Sequence, residues 1–169
     1  MSLPLDLLEQ AHFLSQREVG RGRPRQASLR RAVSTAYYAV FHLLSADASS
    51  QACPVNPMGL RERVQRSLAH DTMKQAANAI QSNNLPTQMV SLLARPMNAQ
   101  AISVARGFVR LQEQRHKADY DMSDQFDRTR VLGLVRVAEQ IFRDWSAVRN
   151  TEDAHIFLAA LMFWKLWSK

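Results

Sequence analysis

Apolar residues recur with the period of an α-helix through most of this 169-residue chain, and this periodicity constrains the fold more than any other feature. Most of the five glycines and six prolines lie between the periodic segments, where they would interrupt helices. No segment alternates apolar and polar side chains for long enough to indicate a β-sheet. The sequence therefore predicts an all-α protein whose helices are joined by short connections.

The periodic segments divide the chain into a small number of helices. They fall at residues 5–17, 27–48, 58–80, 98–120 and 126–149, with a short helix after Pro86 and a final helix behind an N-cap at Thr151. The length suits one domain covering residues 1–169. Residues 150–169 are apolar nearly all round, so this last helix is expected either to fill the core or to contact a second subunit.

Charge and composition indicate which binding partners and which cell compartment are expected. There are 22 Lys and Arg against 15 Asp and Glu, which gives a net charge of +7 and favours polyanionic partners. Arginine predominates, which suits phosphate contacts but also follows from a GC-rich genome. Cys53 is the only cysteine, no signal peptide is recognisable, and the longest apolar run is too short to span a membrane. A cytoplasmic protein that does not enter a membrane is expected.

The second predicted helix carries two opposed stripes. The apolar stripe consists of Leu29, Val33, Ala36, Val40 and Leu44, and the opposite one of Arg31, Thr35, Tyr38 and His42. The side chains of Tyr38 and His42 are suited to stacking on a base or to hydrogen bonding a phosphate. A half-buried tyrosine and a hydrogen-bonded histidine on an ordinary amphipathic helix explain the same pattern.

Basic residues crowd the start of that helix. Arg30 and Arg31 fall in its first turns, where the helix dipole disfavours cations, and further arginines occupy residues 17–25. A nearby anion such as RNA phosphate would offset this repulsion. A solvated arginine loop is the alternative.

On the fourth long helix, Arg115 occupies a position where the stripe calls for an apolar residue. The stripe consists of Val104, Phe108, Leu111, Arg115, Ala118 and Met122. An unpaired charge there would destabilise the fold by several kcal/mol. Arg115 is therefore expected either to pair with Asp119, one turn further on, or to face a cleft in which an anion completes it.

Two segments together resemble the signatures of the HEPN family. They are Ser34-Thr35-Ala36-Tyr37-Tyr38-Ala39-Val40-Phe41-His42 and Arg115-His116-Lys117-Ala118-Asp119-Tyr120-Asp121. The resemblance covers about residues 27–145 and implies an antiparallel, up-and-down bundle of about five long helices plus a short one, which dimerises with a basic cleft at the interface. It also implies binding of RNA or a nucleotide, and often a nucleotidyltransferase-type partner in a toxin–antitoxin pair. The binding residues expected on this basis are Arg115, Asp119, Tyr120, Tyr38, His42 and Arg31.

Catalytic members of the family are metal-free ribonucleases with an Arg, usually followed by a polar residue, and a His after about four to six intervening residues. Arg115 has no His in that window. Arg149, Asn150 and His155 fit the spacing, as does the segment 63–70. In such a site, His155 would act as general acid or base for attack of the 2′-OH on the adjacent phosphodiester. Arg149 would stabilise the added charge and Asn150 would orient the phosphate. No metal or cofactor is expected.

Two other classes remain open from the sequence. A non-catalytic, dimeric interaction module that pairs with a nucleotidyltransferase-type partner needs no catalytic residue. A di-metal carboxylate bundle is the less favoured class, although Glu-x-x-His spacings occur at residues 9–12, 113–116 and 152–155. Only Glu18, Glu62 and Glu139 remain to complete such a site, and none of them lies in a clearly inward stripe.

Overall fold

The computed structural model describes residues 2–16 and 25–169, and within these two segments the chain forms eight α-helices and one 3₁₀ turn, with no β-strand. The elements are α1 (Leu3–Gln16), α2 (Gln26–Ala52), the turn Pro57–Gly59, α3 (Leu60–Ser67), α4 (His70–Gln81), α5 (Thr87–Val90), α6 (Ala99–Tyr120), α7 (Arg128–Val148) and α8 (Glu152–Trp167). The predicted all-α class is confirmed. Residues 17–24, which carry most of the predicted basic loop, lie outside the described residues.

Helix α2 is the central element of the fold, because it packs against α1, α3, α6, α7 and α8. Its predicted apolar stripe is buried along its whole length. Ala32 and Ala39 are fully buried as well, and their small side chains let neighbouring helices approach closely. Thr35, which was expected on the polar side, is buried too, so that side is narrower than the sequence indicated.

Helices α6 and α7 pack closely against each other beside α2. A Cβ atom added at Gly107 on α6 would lie only 2.7 Å from Cδ1 of Ile141 on α7, so the absence of a side chain sets this approach. The sequence also predicts an apolar stripe on α7, and this prediction is confirmed with only Phe142 partly exposed; the stripe consists of Val131, Leu134, Val135, Ala138, Ile141, Phe142 and Trp145. The prediction for Met122 was wrong: its side chain is exposed, because α6 ends at Tyr120.

The predicted third helix at residues 58–80 was wrong in one respect, since the structure breaks it into a 3₁₀ turn, α3 and α4. Leu68 and Ala69 adopt extended backbone conformations between the two helices. Neither residue is a glycine or a proline, so the sequence carries no local signal for the break. Leu68 is buried in the core, which indicates that tertiary packing sets the break. As a result His70 begins α4, which packs along α6.

Helix α8 fills the core with its first three turns. Thr151 is its N-cap, as predicted, and accepts a hydrogen bond from the backbone N–H of Ala154. The apolar residues from Ala154 to Leu161 are nearly all buried, whereas Phe163 and Leu166 near the end of the helix are exposed. Among the described residues, no helix combines the length and the apolar character needed to cross a membrane.

Arg30 closes the end of α6. Its guanidinium donates hydrogen bonds to the carbonyl oxygens of Ala118 (2.8 Å), Asp121 (2.9 Å) and Asp124 (2.5 Å), with a longer bond to that of Lys117. The last carbonyl groups of a helix lack partners within it and carry its negative dipole end. These carbonyls, rather than an anion, therefore offset the charge of Arg30 at the start of α2.

Candidate functional site

The two segments that resemble one family meet in the structure, because α2 and α6 lie side by side. Ser34 Oγ donates a hydrogen bond of 2.5 Å to Asp119 Oδ1. Asp119 Oδ2 lies 2.7 Å from Nε of Arg115, and Nη2 of Arg115 donates to the hydroxyl of Tyr38 at 2.9 Å. These four side chains form one connected polar network across the two helices.

Arg115 is satisfied by its own chain, so of the two alternatives left open by the sequence the ion pair with Asp119 is the one that the structure shows. The guanidinium also lies over the rings of Tyr38 and Tyr120, with centroid distances of 5.5 and 5.7 Å. Folding therefore requires no guest anion. An arginine has five N–H donors, and the one hydrogen bond that Arg115 donates, to Tyr38, leaves both donors on Nη1 and one on Nη2, while Nε approaches Asp119 to 2.7 Å without forming a hydrogen bond. The Arg115 side chain is 19% exposed and lines a cavity, so these donors lie beside a site that a ligand can enter.

His70 joins this network from the start of α4. The hydroxyl of Tyr37 lies 2.6 Å from Nδ1 of His70, and the imidazole ring is 4.1 Å from the ring of Phe41. Burial raises the pKa of the Tyr37 phenol, which keeps its proton. The Tyr37 hydroxyl and His70 Nδ1 share this one hydrogen bond, and the tautomer of neutral His70 decides which of them donates it.

The electrostatic surroundings keep His70 neutral. Burial lowers its pKa below the usual histidine value, and the positive charge of Arg115 lowers it further. His42, one turn beyond Tyr38 on α2, also has a lowered pKa because of burial. Both imidazoles are therefore uncharged near neutral pH, and each can donate one hydrogen bond and accept another.

Two cavities flank His70. One, of about 260 Å³, lies between α4 and α6 and is lined by His70, Asp71, Lys74, Gln112, Arg115 and His116. The other, of about 420 Å³, lies between α2 and α3 and includes His42, Ser45 and Arg66 in its walls. We call the first the α4–α6 cavity and the second the His42 cavity. They share His70 as a lining residue, and we refer to the two cavities together as the groove.

The remaining predicted binding residues surround this groove at different depths. Tyr120 is 65% exposed, and its ring lies 5.0 Å from that of His116. The ring of His42 is stacked at 6.3 Å from that of Tyr38. Arg31 is exposed on the surface of α2 near its start. Tyr38, His42 and Asp119 are thus close to Arg115 or to His70, whereas Arg31 lies at the periphery.

The predicted catalytic residues lie elsewhere. Arg149 ends α7, where its Nη2 donates to Asp47 at 2.7 Å, and Asp47 also accepts a hydrogen bond from the indole of Trp145. Asn150 and His155 are both exposed. Within residues 25–169, no hydrogen bond or ion pair joins the side chains of Arg149 and His155. The structure therefore gives Arg149 a contact between α7 and α2, whereas the role predicted for these three residues stays a prediction.

Within the described residues there is no group of three or more His, Cys, Asp or Glu side chains that could hold a metal ion, so the di-metal class has no candidate ligand set there. His12 instead hydrogen bonds to Glu139, across the contact between α1 and α7. Glu113 pairs with Lys74 at 3.4 Å. One member of each of two predicted Glu-x-x-His spacings, His12 and Glu113, thus takes part in a contact between helices.

Sequence reasoning missed Tyr37, His70 and Gln112 as site residues. Tyr37 lies within the first of the two segments that resemble a family signature. His70 is the last residue of the segment 63–70, which fits the Arg-to-His spacing. Neither observation suggested that these residues lie near Arg115. Comparison with protein-family models, curated proteins and solved structures found no significant match. The groove is therefore interpreted from its own geometry.

Proposed function

We propose that this protein binds RNA or a nucleotide in the groove formed by α2, α4 and α6, with Arg115 at its centre. One observation carries the proposal: Ser34 and Tyr38 of α2 and the Arg115–Asp119 pair of α6 form one polar network, and Arg115 also lines the α4–α6 cavity. Flat rings and arginine planes are the surfaces on which unstacked bases pack. Binding of RNA or a nucleotide, as in HEPN-like proteins, is therefore the function that the geometry supports best.

Charge favours the same class of ligand. The net charge is +7, and the groove includes Lys74, Arg66 and Arg115 in its walls. Arginine donors that remain after an intrachain pair are suited to phosphate oxygens, because the guanidinium holds its N–H groups in a fixed plane. Arg31, exposed near the start of α2, extends the positive surface and is proposed as a peripheral phosphate contact.

The proposal is tested by fluorescence anisotropy with labelled single-stranded RNA, using wild type, Arg115→Met and Arg110→Met. Arg110 is an exposed arginine on the same helix, and its replacement removes the same charge away from the groove. We expect Arg115→Met to weaken binding by roughly tenfold or more and Arg110→Met by much less. Equal losses in the two variants would show that only overall charge matters, and absence of RNA and nucleotide binding would refute the proposal.

Ribonuclease activity is a separate part of the proposal, and it rests on the spacing of Arg149, Asn150 and His155. Its test is a metal-free cleavage assay on single-stranded RNA with Arg149→Met and His155→Gln. A working site requires both variants to lose cleavage while they retain RNA binding. If wild type binds RNA without cleaving it, the protein is a binding module.

A dimeric interaction module is the second candidate function, because Phe163 and Leu166 leave apolar surface exposed at the end of α8. We propose that this surface contributes to a homodimer, and that a nucleotidyltransferase-type protein is a further partner. Light scattering coupled to gel filtration is expected to give twice the monomer mass for wild type and a smaller mass for a Phe163→Ser, Leu166→Ser variant. If wild type is monomeric, the proposed homodimer is wrong.

A further inference from the structure

We infer that the α4–α6 cavity is a pocket for a single nucleobase and that guanine is the base it fits. The inference rests on the proposed function and makes it more specific, because it assigns base recognition to one part of the groove. It depends on one buried amide, on the set of donors and acceptors around it, and on the size of the cavity.

The buried amide is that of Gln112. Its side chain lines the cavity and the residue is only 7% exposed. Its Nε2 donates to the backbone carbonyl of His70 at 3.2 Å, which fixes the orientation of the amide. Its Oε1 is buried and has no hydrogen-bond partner in the described part of the chain. A buried acceptor without a donor is unfavourable, and a ligand that brings an N–H group would satisfy this oxygen.

The surrounding groups combine an anionic acceptor with cationic donors. Asp71 and the Gln112 oxygen can accept hydrogen bonds, Arg115 and Lys74 can donate them, and neutral His70 can do either. The charge of Asp71 opposes entry of a bare phosphate, and the two cations are already paired with Asp119 and Glu113. The cavity is therefore suited to a neutral ligand with donors and acceptors on different edges.

Guanine has that arrangement. Its N1–H and N2–H groups lie side by side and match a carboxylate, while O6 and N7 accept from arginine or lysine. Adenine and cytosine would instead present a ring nitrogen lone pair to Asp71, which is repulsive. The carboxylate at position 71 is consequently the group expected to select guanine over adenine and cytosine, and uracil offers it only one N–H, at N3, where guanine offers two.

The size of the cavity agrees with one base. Pockets for drug-sized ligands usually occupy about 300–1,000 Å³, whereas this one has about 260 Å³. The ribose and phosphate of a bound nucleotide would therefore extend beyond it, towards the remaining donors of Arg115 and the rest of the groove.

The test is calorimetric titration with GMP, AMP, CMP and UMP, together with guanosine to separate base recognition from phosphate recognition. The variants are Asp71→Asn and Gln112→Met, with Gln75→Met as a control. Gln75 is exposed on α4 and lines a different cavity. We expect GMP and guanosine to bind wild type, GMP at least roughly tenfold tighter than AMP, and each cavity variant to lose about tenfold in GMP affinity.

Stability measurements keep the result interpretable. Gln112→Met keeps the side-chain volume similar and removes both an unpaired buried acceptor and the hydrogen bond to His70, two effects of opposite sign, so its melting temperature without ligand should stay close to that of wild type. Equal affinity for all four nucleotides, or GMP binding that both variants leave unchanged, would overturn the guanine pocket. RNA binding that still depends on Arg115 would then leave the proposed function standing, whereas loss of all RNA and nucleotide binding would refute both.

Discussion

The contact made by Arg30 leads to a prediction whose magnitude follows from the structure. Replacing Arg30 with Met keeps the aliphatic stem and removes the bonds to four carbonyl groups at the end of α6. The bonds to Lys117 and Asp121 are exposed, so water replaces them. Those to Ala118 and Asp124 are partly buried, and the loss of each should destabilise the protein by about 1–1.5 kcal/mol. The free energy of unfolding should therefore fall by about 2–3 kcal/mol.

Urea denaturation followed by circular dichroism measures this change in the free energy of unfolding. In a thermal scan, the melting temperature should fall by about 4–12 °C. Arg31→Met is the matched control, because the neighbouring side chain is exposed and its loss should change stability by less than about 0.5 kcal/mol. The same control variant is expected to bind RNA more weakly. If Arg30→Met and Arg31→Met unfold alike, the helix-closing role assigned to Arg30 is wrong.

Three further predictions concern other contacts. As the pH falls below about 6.5, the unfolded chain takes up a proton before folded His70 does. The free energy of unfolding should therefore fall as the pH is lowered, and it should fall less in His70→Asn than in wild type. If urea titrations give parallel pH profiles for the two proteins, this prediction is wrong. Asp47→Ala leaves the buried indole N–H of Trp145 without an acceptor and should destabilise the protein by about 2 kcal/mol in the same assay, while no change would exclude a structural role for this bond. Gly107→Val should destabilise the protein by about 1–3 kcal/mol, because the added side chain overpacks against Ile141. Ile141→Ala in the same chain should restore part of the loss. An unaltered melting temperature of Gly107→Val would show that α6 and α7 can move apart without cost.

The helical class and the buried faces were predictable from the sequence because they depend on local periodicity. Leu29 to Leu44 on α2 and Val131 to Trp145 on α7 face the core as predicted, since burial of apolar surface dominates the orientation of a helix. The break at Leu68 was not predictable. No residue there disfavours a helix, and only the packing of the folded chain sets it.

The site was predictable in part. Arg115 and Asp119 are one turn apart on one helix, so their pairing follows from helix geometry. The contact between Tyr38 and Arg115 joins residues 77 positions apart, and only the family resemblance suggested it. The position of His70 depends on the unpredicted start of α4. The buried Gln112 carries no sequence signal, because an amide on a helix is ordinarily exposed.

Hydrogen–deuterium exchange with and without bound single-stranded RNA tests the central claim most directly, because it locates the contact on the protein. The account predicts slower exchange at residues 70–74 and 112–120, whether or not residues 149–155 are also protected. Protection confined to residues 149–155, or protection that avoids α4 and α6 altogether, would contradict a binding groove centred on Arg115.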